Sequence, residues 1–170
     1  EIGFGGGEHM VHQAASNADV GIIGCEPFIN GVAMLLGKIR AAEVTNVAVL
    51  PVEVRYRWDV CLVGSIARAF LFYLLPCPIK RHHRRRFVTP EFLEPLVRVM
   101  APGANLRVAT DISDYVRQTL AQVPRHGFRW TAERAADWRV PWDDWLSTRY
   151  EQKALREGRV PHYLTFERIG

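Results

Sequence analysis

Glu1-Ile2-Gly3-Phe4-Gly5-Gly6-Gly7-Glu8 is the stretch on which the fold turns. Glycines at 3, 5 and 7 let the backbone turn tightly and approach a ligand closely, ahead of a helix that starts near Glu8. A dinucleotide fingerprint requires Gly-x-Gly-x-x-Gly. The residue three after Gly5 is Glu8, so that pattern fails, and an acid in the turn repels a pyrophosphate. The turn suits a ligand with a cationic amino-acid end; the plain alternative is an ordinary glycine-rich turn. A strand belongs ahead of such a turn, so the reading places an amino-terminal segment before Glu1.

Working outward, short β-rich apolar runs alternate with helical patterns. Residues 20–24, 46–50, 66–73 and 106–110 read as buried strands. Residues 8–16, 27–42, 90–100 and 113–121 read as helices. Thr89-Pro90-Glu91 is a helix start, with a capping side chain and proline at the first helical position. Pro102-Gly103 reads as the turn out of that helix, and residues 163–166 as a final edge strand. The alternation predicts an α/β fold with a mainly parallel sheet and helices on both faces. Ligands of such sheets sit beyond the carboxyl ends of the strands.

The 170 residues, 48% hydrophobic and 24% charged, fit one domain spanning 1–170. Disorder and a disulfide scaffold are excluded by this balance. Cys25, Cys61 and Cys77 form no Cys-x-x-Cys pair; they read as reduced thiols, with no zinc site and a cytoplasmic setting. No signal peptide is visible. Residues 60–79 are the most apolar, but Gly64, Arg68 and two prolines interrupt them, so no membrane span is expected. Oligomeric state is not legible.

The net charge of +4 is concentrated. Residues 80–86, Lys-Arg-His-His-Arg-Arg-Arg, hold five of the 22 basic side chains, leaving 17 against 18 acids elsewhere. A charge run is usually a solvated face, yet this one is the sole basic concentration and suits a local anionic partner. Arginine favours bidentate phosphate contacts. Five permanent charges on phosphates would give a log-log salt slope of roughly −3.5 to −4.5.

Several acids fall at strand ends. Glu26 closes the second strand, where a carboxylate commonly grips a ribose diol. Glu53 follows the third, where one can accept from an adenine amine. Thr110-Asp111 closes the strand from Leu106; the bland reading is a helix N-cap. Each acid alone is as well read as a solvated loop residue.

Together these residues resemble the bacterial tRNA guanine-N7 methyltransferase family over nearly the whole chain. The resemblance is carried by residues 1–8, Gly24-Cys25-Glu26, the Arg-His-His-Arg-Arg-Arg run at 81–86, Thr110-Asp111 with Tyr115, and Thr148-Arg149-Tyr150-Glu151. The glycine motif is shared by many methyltransferases, whereas the basic run followed by Thr-Asp and Thr-x-Tyr-Glu is specific. The resemblance implies a class I, Rossmann-like methyltransferase with a seven-stranded sheet, using S-adenosylmethionine to methylate N7 of guanine 46 in the tRNA variable loop. It also implies donor contacts at Glu1, Gly3, Gly5, Gly7, Glu26 and Glu53. On the tRNA side it implies Lys80, His82, Arg84, Arg85, Asp111, Thr148, Arg149, Tyr150 and Glu151.

The chain departs from the family at Val52-Glu53-Val54, where an aspartate-alanine pair is usual, and more seriously at one loop. Where the family carries Pro-Asp-Pro-Trp-Pro-Lys, residues 74–79 read Leu-Leu-Pro-Cys-Pro-Ile. Leu75 stands at the catalytic aspartate, Cys77 at the tryptophan and Ile79 at a lysine that Lys80 neighbours. Two other readings therefore stay open: a catalytically impaired tRNA-binding homologue, or a small-molecule methyltransferase of the same fold.

Overall fold

A computed structural model describes residues 1–54, 58, 61–74 and 86–170. Leu75, Cys77, Ile79, Lys80, His82, Arg84 and Arg85 lie outside the described residues. The chain divides into two compact units, Glu1–Arg57 with Trp142–Arg149, and Trp58–Pro141 with Tyr150–Gly170.

The first unit holds α1 (Glu8–Ser16), β1 (Ile22–Cys25), α2 (Ile29–Ala42) and β2 (Val47–Leu50). β1 and β2 pair in parallel, Ile22 opposite Val47 and Cys25 opposite Leu50. Ile2 bridges Cys25 in parallel, with the Gly3 N–H donating to the Cys25 carbonyl (2.7 Å) and the Cys25 N–H to that of Glu1 (2.9 Å). Residues 1–3 thus run beside β1 and deliver the glycine turn at its carboxyl end. Phe4, Met10, Val32 and Leu35 form the core. A side chain at Gly24 would collide with Met10 and Phe4, so glycine lets α1 lie directly on β1. β1 begins two residues later than expected because Val20 belongs to a turn, whose carbonyls at Asn17 and Val20 accept from the Asn46 amide (2.9 and 2.8 Å).

The second unit holds β3 (Ile66–Phe72), α3 (Pro90–Val99), β4 (Met100–Thr110), α4 (Ser113–Gln122), β5 (Phe128–Trp130), the short α5 (Ala136–Arg139), most of α6 (Arg149–Arg156) and β6 (His162–Arg168). Its strand order is β3-β4-β6-β5. β3 and β4 are parallel; β6 is antiparallel to both β4 and β5. The described pairings are therefore mixed, not mainly parallel, and six strands fall among the described residues. The reason is the direction of β6, which enters at the carboxyl end of β4 with His162 opposite Thr110. It also lies inside the sheet, not at its edge, and buries Tyr163, Leu164 and Phe166.

Pro102-Gly103 lies within β4, where the register with β3 slips between Ile66 opposite Met100 and Arg68 opposite Asn105. The positive φ of Gly103 (79°) accommodates an excursion of the strand there, so the turn signal marks an irregularity and not a helix exit. Thr89 occupies the N-cap of α3 and Pro90 its first turn, but no side-chain capping bond forms.

Arg86 is 4% exposed. It donates to Asp114 (2.8 Å) and Gln118 (2.7 Å) of α4 and lies over the Tyr115 ring. One of the five charges of the basic run thus belongs to the core, and a four-charge phosphate contact gives a slope of about −2.8 to −3.6. Among the described residues no helix is long and apolar enough to cross a membrane, and no cluster of metal-ligating side chains occurs.

Candidate donor and base sites

In the first unit the turn is built by backbone. Gly3, Gly5 and Gly7 have φ of 70°, 55° and 75°, a region side chains other than glycine's disfavour. The Glu26 carboxylate, just past β1, fixes this shape: Oε2 accepts from the Gly5 N–H (3.0 Å) and Oε1 from the Phe28 N–H (2.9 Å). Each oxygen then keeps a lone pair for a ligand hydroxyl. Gly31, near the start of α2, completes the cradle, since a Cβ there would collide with the Gly5 carbonyl oxygen. A small residue at 31 lets the helix approach the turn at backbone distance.

Glu1 is held from behind. Its Oε2 lies 2.7 Å from Nδ1 of buried His9. His9 Nε2 is 3.3 Å from the Gln13 side-chain nitrogen, which also donates to the Asp144 carbonyl (3.1 Å). An amide nitrogen only donates, so the network places the His9 proton on Nδ1, facing Glu1. Trp145 packs beside the ring, centroids 5.5 Å apart.

Glu8 does not present a free acid to a cationic ligand. Lys38 (3.3 Å) and Arg149 (3.0 Å) both pair with its Oε1, and Lys38 donates to the Gly6 carbonyl (2.8 Å). These side chains lie against Gly6, where a Cβ would strike Arg149. Glu53 lies in the loop beyond β2, half-buried. Thr148 and Arg149 belong to this unit, Tyr150 and Glu151 to the second.

The donor set fits S-adenosylmethionine on this geometry. Two carboxylates, at Glu1 and Glu26, flank a turn whose glycines leave backbone uncovered; one suits an ammonium, the other a ribose diol.

In the second unit the candidate site is built by side chains. Glu151 is 2% exposed and accepts from the Tyr163 hydroxyl. Burial first, then the neighbouring Glu151, push the pKa values of Tyr163 and Tyr73 up, so both hydroxyls stay protonated donors. Tyr73 itself sits at φ 48°, where β3 ends. Asp111, beyond β4, is ion-paired with Arg159, which also holds Glu157 (2.6 Å). Asp111 does not cap α4, whose N-cap is Ile112; Thr110 Oγ1 accepts from the Ile112 N–H (3.2 Å). Tyr150 is 56% exposed. Tyr115 is fully buried, and that burial raises its pKa.

Sequence reasoning missed His9, Gly31, Arg159 and Tyr163. Gly31 alone left a signal, a glycine inside a helical pattern. The others are ordinary polar residues until the fold supplies their partners.

Comparison with known proteins places this geometry. Residues 1–164 match the family described as "Putative methyltransferase". The tRNA (guanine-N(7)-)-methyltransferase of Ruegeria pomeroyi is 74% identical over 99% of this chain and 71% of its own length. That of Jannaschia sp. is 71% identical over 99% of this chain and 71% of its own. Among solved structures, a variant 16S rRNA (adenine(1408)-N(1))-methyltransferase from Catenulisporales acidiphilia, with cosubstrate SAM, aligns at TM-score 0.70. It is 17% identical, over 99% of this chain and 84% of that one. The fold is thus the class I S-adenosylmethionine-dependent methyltransferase fold, and the chain belongs to the bacterial tRNA (guanine-N(7)-)-methyltransferase family.

Proposed function

We propose that this protein transfers a methyl group from S-adenosylmethionine to N7 of guanine 46 in tRNA, in the cytoplasm. The observation that carries the reading is Glu26, whose carboxylate shapes the glycine turn through two backbone N–H groups and keeps acceptor capacity for a ribose. The bound donor supplies an electrophilic methyl on a sulfonium. Guanine N7 has an in-plane lone pair and is itself the nucleophile, so no residue has to remove a proton before attack. The residues mainly align reactants, which can lower a barrier by several kcal/mol.

Glu1, braced by His9, takes the donor's ammonium, while Gly3, Gly5 and Gly7 let the backbone approach and Glu26 and Glu53 hold the ribose and adenine. Glu151, steadied by Tyr163, accepts from the guanine's N–H edge. Asp111 exchanges Arg159 for contacts on the base side as the cation develops. Lys80, His82, Arg84 and Arg85 meet the tRNA backbone, and Thr148, Arg149 and Tyr150 frame the same substrate.

Leu75 stands where the family has an aspartate, and this favours a slow enzyme as the second reading, in effect a tRNA-binding homologue. Labelled donor with unmodified tRNA, followed by nucleoside analysis, is expected to yield N7-methylguanosine. Leu75→Asp is expected to raise the turnover by on the order of 100-fold, the scale of one preorganised electrostatic group. Equal turnover in both forms removes the assignment of residue 75, and methyl transfer that does not depend on tRNA removes the reading.

A further inference from the structure

We propose that the second unit carries a separate pocket for one unpaired nucleobase of the RNA substrate, distinct from the place of the methylated guanine; this rests on the tRNA reading above. The cavity measures about 240 Å³ and lies between α4, β5, α5 and β6. That is below the roughly 300–1,000 Å³ of sites for drug-sized ligands, so it suits a single planar ring system. Its walls are flat and aromatic: Trp130 from β5, Trp138 from α5 and His162 from β6, with Leu164 as an apolar floor. Ser113 and Arg117 add polar groups from α4.

Three observations favour a base over an apolar side chain. First, two of the three aromatic walls brace each other, which leaves Trp130 as the platform for a base. Trp138 and His162 lie parallel, 3° apart with centroids at 5.5 Å, and the Arg139 guanidinium covers the Trp138 ring at 4.7 Å. Unstacked RNA bases are held on such aromatic faces and guanidinium planes. Second, Trp130 is 38% exposed, and Arg117, 3.6 Å from Asp114, keeps its side chain 72% exposed, so an indole and a cation both border solvent. Third, the His162 Nδ1 is buried without a hydrogen-bond partner among the described residues. Buried polar groups are normally paired, so this wall is not built for packing alone.

The position sets which base it takes. His162 pairs with Thr110, and Ser113 is two residues from Asp111, so the pocket adjoins the strand end that bears the Thr-Asp motif. Successive residues of a strand face opposite sides. His162 and Leu164 therefore point away from the face on which Tyr163 meets Glu151. A guanine held by Glu151 leaves this pocket to another nucleotide of the same strand, splayed across the end of the sheet.

The test uses unmodified tRNA transcript and steady-state methyl transfer by the whole protein. Trp130→Leu keeps apolar bulk and removes the stacking plane. It is expected to raise the KM for tRNA about tenfold, on the scale of one base–aromatic stack, with the loss in KM and not in kcat, and the KM for the donor unmoved. Trp130→Phe is expected to recover most of the affinity. Val116→Phe, which fills the cavity from α4, serves if Trp130→Leu does not fold, and is expected to act in the same direction. Unmoved tRNA KM in a folded variant overturns the pocket while leaving the methyltransferase reading intact. The pocket is equally overturned if sedimentation shows that Trp130→Leu dissolves a dimer without changing tRNA KM, since the occupant is then a second copy. Filter binding repeats the comparison without turnover, Trp130→Leu being expected to weaken tRNA binding about tenfold; wild-type protein that neither methylates nor binds tRNA overturns the parent reading instead.

Discussion

The two candidate sites are made by different means. In the first unit the main chain does the shaping: three glycines at positive φ, a carboxylate receiving two backbone N–H groups, and a helix glycine pressed against a carbonyl. In the second unit, side chains from separate segments hold one another: Tyr163 on Glu151, Arg159 on Asp111. A backbone-built site restricts which residues can stand at its positions. A side-chain-built site restricts where residues of common types must arrive. The first kind has few substitutes, and the second can be retuned one partner at a time.

The largest effect is expected at Glu26. Glu26→Ala removes two charge-assisted bonds, each worth about 1.5–3 kcal/mol, and lowers donor affinity by on the order of 100-fold in a calorimetric titration. Filter binding of tRNA is expected to stay unchanged; a parallel fall would break the division between the two sites. Gly31→Ala comes next. The new methyl meets the Gly5 carbonyl, and overpacking of this kind costs about 1–3 kcal/mol. A melting temperature lower by about 2–10 °C is expected, with donor affinity about tenfold weaker. A neutral outcome would show that the turn yields, and that glycine at 31 is not part of its shape. The smallest effect is expected at Tyr163. Tyr163→Phe deletes one hydrogen bond to a buried carboxylate and raises the tRNA KM about fivefold, leaving donor affinity as it was. A donor defect there would mean that Glu151 serves the other substrate.

The same contrast explains what is legible in the sequence. The helices at 8–16 and 90–99 and the strands at 47–50 and 66–72 can be read because periodicity and end signals are local. So can the glycine turn, since its backbone angles demand particular residues. The direction and place of β6 cannot. An alternating apolar strand looks alike at an edge or in the middle, and its β4 partners are remote in sequence, as between Thr110 and His162. Arg159 and Tyr163 escape notice for the same reason. Arg86 looks like its charged neighbours because nothing in a basic run tells which member turns inward onto α4.

The central place of β6 also governs the order in which the second unit is completed. β5 pairs with β6, and β4 accepts β6 along six residue pairs from Asn105 to Thr110. During synthesis, β5 therefore waits without a ladder until residues 162–168 have left the ribosome, and Glu151 emerges before the tyrosine that restrains it. Closing so wide a loop is entropically slow, which makes insertion of this strand the step at which the second unit acquires its finished sheet.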